Sequence, residues 1–239
     1  MKKLLPLLAA VSVMSLSANS YAAMLIGFDP FGMPSGAKPN PFNASSSTGT
    51  ISLGSNVQLN AGLTYGAGAT SGGSANGWGG AGLNSVDLAA AVTANDYYTL
   101  TLQAAPGNNL SFSTINMNIT RGAASATTFI WEYQIGGSGG FTAIGTSTDI
   151  SGAIAKTPYS VDLSGVSALQ NVTGSVELRF YAWGASSSSS SMFFGATTAT
   201  GDYSALNFVG TVTSVPEPAT WALLGFGGMV GFFFRRRSA

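Results

Sequence analysis

Tyr98-Thr99-Leu100-Thr101-Leu102-Gln103 alternates apolar and polar residues without a break, and this run decides the fold class. Successive side chains of an extended strand point to opposite faces, so a period of two puts Tyr98, Leu100 and Leu102 on one face. The same pattern recurs downstream. Pro106-Gly107-Asn108-Asn109 has turn chemistry, and Leu110-Ser111-Phe112 resumes the extended chain. Ile115-Asn116-Met117-Asn118-Ile119 alternates again, and Phe129 to Ile135 puts Phe129, Trp131 and Tyr133 on one face as core residues. Gly136 to Gly140 then turns the chain into Phe141 to Ile144. Further strands are marked by Tyr159, Val161 and Leu163, by Val176, Leu178 and Phe180 running into Trp183, and by Leu206, Phe208 and Gly210 to Val212. About eight to ten short antiparallel strands without intervening helices predict an all-β sandwich. No internal repeat of fixed period emerges, which argues against a propeller or solenoid.

Upstream the signal is weaker. Residues 43–82 are mostly small and polar, with Ile51 to Leu53 and Val57 to Leu59 as short candidate strands. Gly77-Trp78-Gly79 reads as a loop whose indole either stacks on a sugar ring or anchors the loop to the core. Asn84-Ser85 before Val86 to Val92 predicts one short helix, with a capping residue followed by good helix formers. Ser186 to Ser191 reads as a polar linker and a candidate glycosylation target.

Charge and residue inventory exclude several functions. The chain of 239 residues has no Cys and no His. Thiolate and Ser-His or Cys-His nucleophile systems are therefore closed, and only oxygen-ligand metal sites remain open. We expect no metal site and no cofactor. Residues 23–214 carry Lys38, Arg121, Lys156 and Arg179 against Asp29, Asp87, Asp96, Glu132, Asp149, Asp162, Glu177 and Asp202, four minus eight or −4. No basic stripe remains for a phosphate backbone, so nucleic acid is not an expected partner. Two carboxylates can hydrolyse a glycoside, and Glu132 and Glu177 both fall in predicted strands. Glu177 and Arg179 share a strand face and read as an ion pair, whereas Glu132 lies between Trp131 and Tyr133 on the face expected to meet solvent. We expect no enzymatic activity.

The two ends have their own grammar. Lys2 and Lys3, the apolar run Leu4 to Leu16 and Ser20-Tyr21-Ala22 compose a signal peptide over 1–22, with signal peptidase cutting after Ala22, or after Ala23 as the alternative. At the other end stand Val215-Pro216-Glu217-Pro218, an apolar run to Phe234 and then Arg235-Arg236-Arg237. The prolines keep the motif extended. Residues 219–234 as a helix reach about 24 Å at 1.5 Å per residue, slightly short of the roughly 30 Å of a hydrocarbon core. The arginines can snorkel and hold that end in the cytoplasm as a membrane stop. The expected organisation is thus 1–22, an ectodomain over 23–214, and a tail over 215–239.

That tail resembles the PEP-CTERM sorting signal of Gram-negative bacteria. The resemblance rests on Pro216-Glu217-Pro218, the apolar run and Arg235 to Arg237. It implies recognition and cutting by an exosortase, a membrane-embedded transpeptidase, with only transient residence in the inner membrane. Release to the envelope or exopolysaccharide matrix would follow. The middle of the chain looks like the jelly-roll ectodomain that recurs among such proteins. This second resemblance rests on Asn95-Asp96-Tyr97-Tyr98, Val161-Asp162-Leu163-Ser164 and Val176 to Gly184. In that group the last strand often begins with an Asp-Asn pair; Ser204-Ala205 stands at that place here, a departure that argues against a structural calcium.

Two functional classes follow. One is a non-catalytic surface or matrix protein associated with exopolysaccharide or biofilm. The other is a lectin-like jelly-roll module, with Trp78 and Trp183 as candidate glycan contacts because each adjoins a Gly- or Ser-rich segment. Ice binding is a distant third, since the Thr residues form no regular ladder.

Overall fold

The computed structural model describes residues 22–195 and 201–215. The expected signal peptide, Pro216 to Pro218, the apolar run and Arg235 to Arg237 lie outside the described residues. Thirteen strands, one α-helix and one 3-10 turn are present among those described, numbered in chain order. Every strand pairing is antiparallel.

The larger sheet contains β1 (Ala23–Asp29), β2 (Thr50–Leu53), β4 (Thr70–Ser71), β5 (Gly77–Ala81), β7 (Asn108–Arg121), β10 (Thr157–Asp162), β12 (Met192–Gly195) and β13 (Leu206–Ser214). Its order is β2-β1-β13-β7-β12-β5-β4, with β10 also on β7. The smaller sheet runs β3 (Val57–Tyr65), β6 (Tyr97–Ala104), β11 (Val176–Trp183), β8 (Thr128–Ile135) and β9 (Thr142–Asp149). Together they form the expected all-β, jelly-roll-like sandwich.

The fourteen residues of β7 organise the larger sheet. Met192 to Phe194 pair with Arg121 to Ile119, and Leu206 to Ser214 pair with Met117 to Asn108. β12 and β13 therefore lie end to end along β7. At the gap Asn118 donates its backbone N–H to the Ala205 carbonyl and its amide to the Ser204 carbonyl, at 3.0 and 2.9 Å.

Inward residues of the two sheets meet in an aromatic core. Trp131 crosses Phe208 at a centroid distance of 5.6 Å, and Phe180 crosses Phe194 at 5.2 Å, both edge-on. Such pairs contribute beyond their area burial. The Tyr98 hydroxyl accepts from the Gly80 N–H at 2.9 Å and donates to the Met192 carbonyl at 3.0 Å, so one buried ring ties the sheets together.

The helix α1 (Leu88–Ala94) is capped by Asp87, whose carboxylate accepts from the Ala90 N–H. The capping role expected at Asn84-Ser85 therefore falls elsewhere. Ser85 instead donates its hydroxyl to the buried Asp96 at 2.6 Å. Ala91 packs on Ile130 and Tyr181, with Leu88, Tyr97 and Trp183 around them, so α1 covers part of the outer face of the smaller sheet.

Candidate functional site: the sorting junction and two surface clusters

The last strand sets the geometry of the tail. β13 stays paired with β7 as far as Ser214 opposite Asn108, and the Val215 N–H donates to the Gly107 carbonyl at 2.8 Å. Val215 itself is 42 % exposed. No spacer separates the folded ladder from Pro216. On its other edge β13 pairs with β1, where Ala23 lies opposite Gly210. Residues 211–214 thus pair with β7 alone. The ladder slips in register between Val209 and Gly210, and a Cβ at Gly210 would lie 2.1 Å from the Ser111 carbonyl oxygen. Glycine is required there by close backbone approach.

The two tryptophans singled out in sequence occupy different places. Trp78 is the second residue of β5, not of a loop, and is 1 % exposed. Tyr65 stacks on its ring at 4.4 Å, Tyr98 meets it edge-on, and its indole N–H donates to the Pro39 carbonyl at 2.8 Å. A ring so covered offers no face to a sugar, which corrects the expectation for Trp78. Trp183 ends β11, half-buried beside α1.

An ionic cluster lies on the outer face of the smaller sheet. Arg179 donates from Nε to Glu177 at 2.8 Å and from Nη1 to the Tyr181 hydroxyl at 3.3 Å. Its guanidinium carbon lies 4.3 Å from the Tyr97 ring centroid and 3.8 Å from that of Phe141. Arginine stacks in this way while its in-plane donors stay engaged. Thr99 donates its hydroxyl to the same Glu177 oxygen at 3.1 Å. Glu132 is paired opposite Arg179 in the ladder and is buried, contrary to the solvent position expected for it. Burial raises its carboxyl above the ordinary range, and the Arg179 charge opposes that rise only in part. The neighbours of Glu177 pair it with Arg179 and Thr99, an arrangement that orders the surface.

On the outer face of the larger sheet runs a row of amides that sequence reading took only as the polar half of strands. Ser160 donates to Asn116 Oδ1 at 2.9 Å, and Asn116 donates to Asn207 Oδ1 at 3.0 Å. With Asn118, Pro158 and Ser204 they line a groove of about 340 Å³. Part of the signal was present in the sequence: Asn116 and Asn118, two apart, share one face of β7. Cross-strand alignment, which only the register reveals, makes the row.

Among the described residues no helix is long and apolar enough to cross a membrane. Nor does any group of three or more acidic side chains there form a metal site. Residues 214–237 match the family model of the PEP-CTERM protein-sorting motif. No curated protein and no solved structure matches the chain. The matched segment begins on Ser214, the last residue of β13.

Proposed function

We propose that this chain is the precursor of a non-catalytic protein of the cell envelope or extracellular matrix, associated after release with exopolysaccharide or biofilm. The PEP-CTERM motif implies exosortase-dependent sorting of an exported protein. The finer reading adds signal peptidase cutting after Ala22, a membrane stop formed by 219–234 with Arg235 to Arg237, and transient residence in the inner membrane. One observation carries it: the sorting motif starts where the ladder of β13 ends. Removal of the tail at Pro216 to Pro218 would leave all thirteen strands in the product. Intact-mass analysis of the protein from cells with and without an exosortase tests this. Loss of residues beyond the Pro-Glu-Pro motif is expected only where the enzyme is present. A mature protein retaining its arginines in both strains would replace sorting by simple anchoring.

A second reading, a lectin-like module, is favoured by the groove over Asn116, Asn118, Asn207 and Ser160 rather than by Trp78. Aligned amides can hydrogen-bond sugar hydroxyls; Trp183, partly exposed on the smaller sheet, is a separate candidate contact outside this groove.

A further inference from the structure

We infer that one end of the sandwich is a membrane-facing surface, laid against the phospholipid headgroup layer while the precursor is held by its tail. This rests on the reading of 219–234 as membrane-inserted. Two independent features of the described residues point to it.

The first is where the chain ends leave. Ser214 is paired with Asn108, and Ala23 with Gly210 on the adjacent strand, so β1 starts at the end where β13 finishes. Four further segments gather there. The 105–107 turn joins β6 to β7, and the Ala105 N–H donates to the Asn56 carbonyl in the 54–56 turn at 2.8 Å. The 163–175 connection pairs Val172 with Leu110, and the Gly136 N–H, opening the 136–141 turn, donates to the Ser175 carbonyl at 2.8 Å. Val215 to Pro218, even fully extended, span about 14 Å. Beyond them the apolar run begins. The end around Ser214 is therefore held close to any bilayer that takes up that run, and the N-terminal segment preceding Ala23 leaves from the same side.

The second is charge. None of the residues in 54–56, 105–107, 136–141, 163–175, 22–23 or 214–215 is Asp, Glu, Lys or Arg. The charges nearest to this end are Asp162 at the rim, which accepts from the Ser164 N–H at 2.8 Å, and the Glu177–Arg179 ion pair, which carries no net charge and whose guanidinium stacks on Phe141 at 3.8 Å. Lys38, Asp87, Asp96, Asp149, Lys156 and Asp202 belong to segments at the other end. The domain as a whole is acidic, with eight carboxylates against four basic residues over 23–214. Anionic headgroups repel carboxylates within a Debye length of about 8–10 Å. A Gly-, Ser- and Asn-rich end can hydrogen-bond headgroups and interfacial water without that penalty.

The absence of cysteine makes the test direct, because each introduced thiol is unique. The full chain is placed in vesicles of phosphatidylethanolamine and phosphatidylglycerol with headgroup spin-labelled lipid. A fluorophore is attached at Ser138→Cys or Asn171→Cys on this end, or at Ser45→Cys or Ser188→Cys on the opposite one. Loss of fluorescence is expected at the first pair and not at the second. Gly228→Cys with acyl-chain spin label reports the tail. If the tail is quenched and Ser138→Cys and Asn171→Cys are not, the inference falls alone. If the tail itself is unquenched, the membrane reading falls and takes the inference with it. Quenching at this end only when an exosortase shares the vesicle would assign the surface to the enzyme instead of lipid. Adding Ser138→Glu and Asn171→Glu to a Ser55→Cys probe should lower its quenching; unchanged quenching would overturn the charge argument.

Discussion

Tyr65 and Trp78 stack face to face, with centroids 4.4 Å apart and planes within 7° of parallel. This contact joins β3 of the smaller sheet to β5 of the larger one and carries the 30–49 segment through the indole hydrogen bond to Pro39. Trp78→Ala should lower unfolding free energy by about 3–5 kcal/mol, the usual cost of truncating a buried large aromatic. Urea denaturation measures it; a loss below about 1 kcal/mol would mean that the ring is not packed.

Trp131 is equally buried, but its indole N–H has no hydrogen-bond partner among the described residues. Trp131→Ala should also cost about 3–5 kcal/mol. Trp131→Phe should cost far less, below about 1.5 kcal/mol, because it keeps most of the contacts and removes an unsatisfied donor. Equal losses in the two variants would show that the N–H is satisfied after all.

The carboxyl of Glu132 is raised by burial, so the folded state holds its proton more tightly than the unfolded chain does. Its contribution to stability therefore falls as pH rises from the ordinary glutamate value of about 4.3 through the higher folded value. Asp149 and Asp162 run the other way. Ser151 and Ser164 hold their carboxyls below the ordinary range, so stability present at neutral pH is lost as pH falls through the folded values. Glu132→Gln should thus gain on the wild type as pH rises above the glutamate range, with the acid limb unchanged. Parallel melting curves from pH 3 to 8 would contradict this, as would a variant that loses ground on raising pH.

Arg121 reaches four backbone carbonyls, those of Ala123, Ser125, Ala126 and Ser151, from a nearly buried position. A lysine has three donors on one nitrogen and cannot span that set. Arg121→Lys should cost about 1–3 kcal/mol, the range for leaving buried acceptors unpaired. Amide hydrogen exchange should rise within 122–127 and 150–153 while β6 and β11 stay protected.

For the groove on the larger sheet, Asn116→Ala with Asn207→Ala should abolish retention of the ectodomain on its own exopolysaccharide if the amide row binds glycans. Unchanged retention in folded variants would leave the scaffold reading alone.

The strands that announce themselves are those with one wet face. Tyr98, Leu100 and Leu102 are buried while their neighbours are half-buried, and the period of two in β6 is visible for that reason. In β1 Leu25 to Asp29 are all buried, so no alternation marks the strand. β5 was hidden by its glycines. Gly80 has no room for a Cβ, which would lie 1.6 Å from the Thr70 carbonyl oxygen, so close strand approach imposes what reads as loop composition. Glu132 was misplaced because alternation tells which residues share a face, not what covers the second face. The sorting motif was legible because its residues act as a linear string, whereas the amide row exists only across three strands.

Because β13 lies between β1 and β7, the larger sheet lacks a central strand until residues 206–214 have arrived. β1, the first strand of the ectodomain, pairs on one side with β2 and must wait for the other side. During export the larger sheet therefore completes only when its last strand has crossed. A chain stalled a few residues earlier would present the unpaired edges of β1 and β7 to its neighbours, a state open to intermolecular strand addition. The tail that sorts the protein thus follows directly upon the strand that finishes it, and the order of segments keeps folding and processing in sequence.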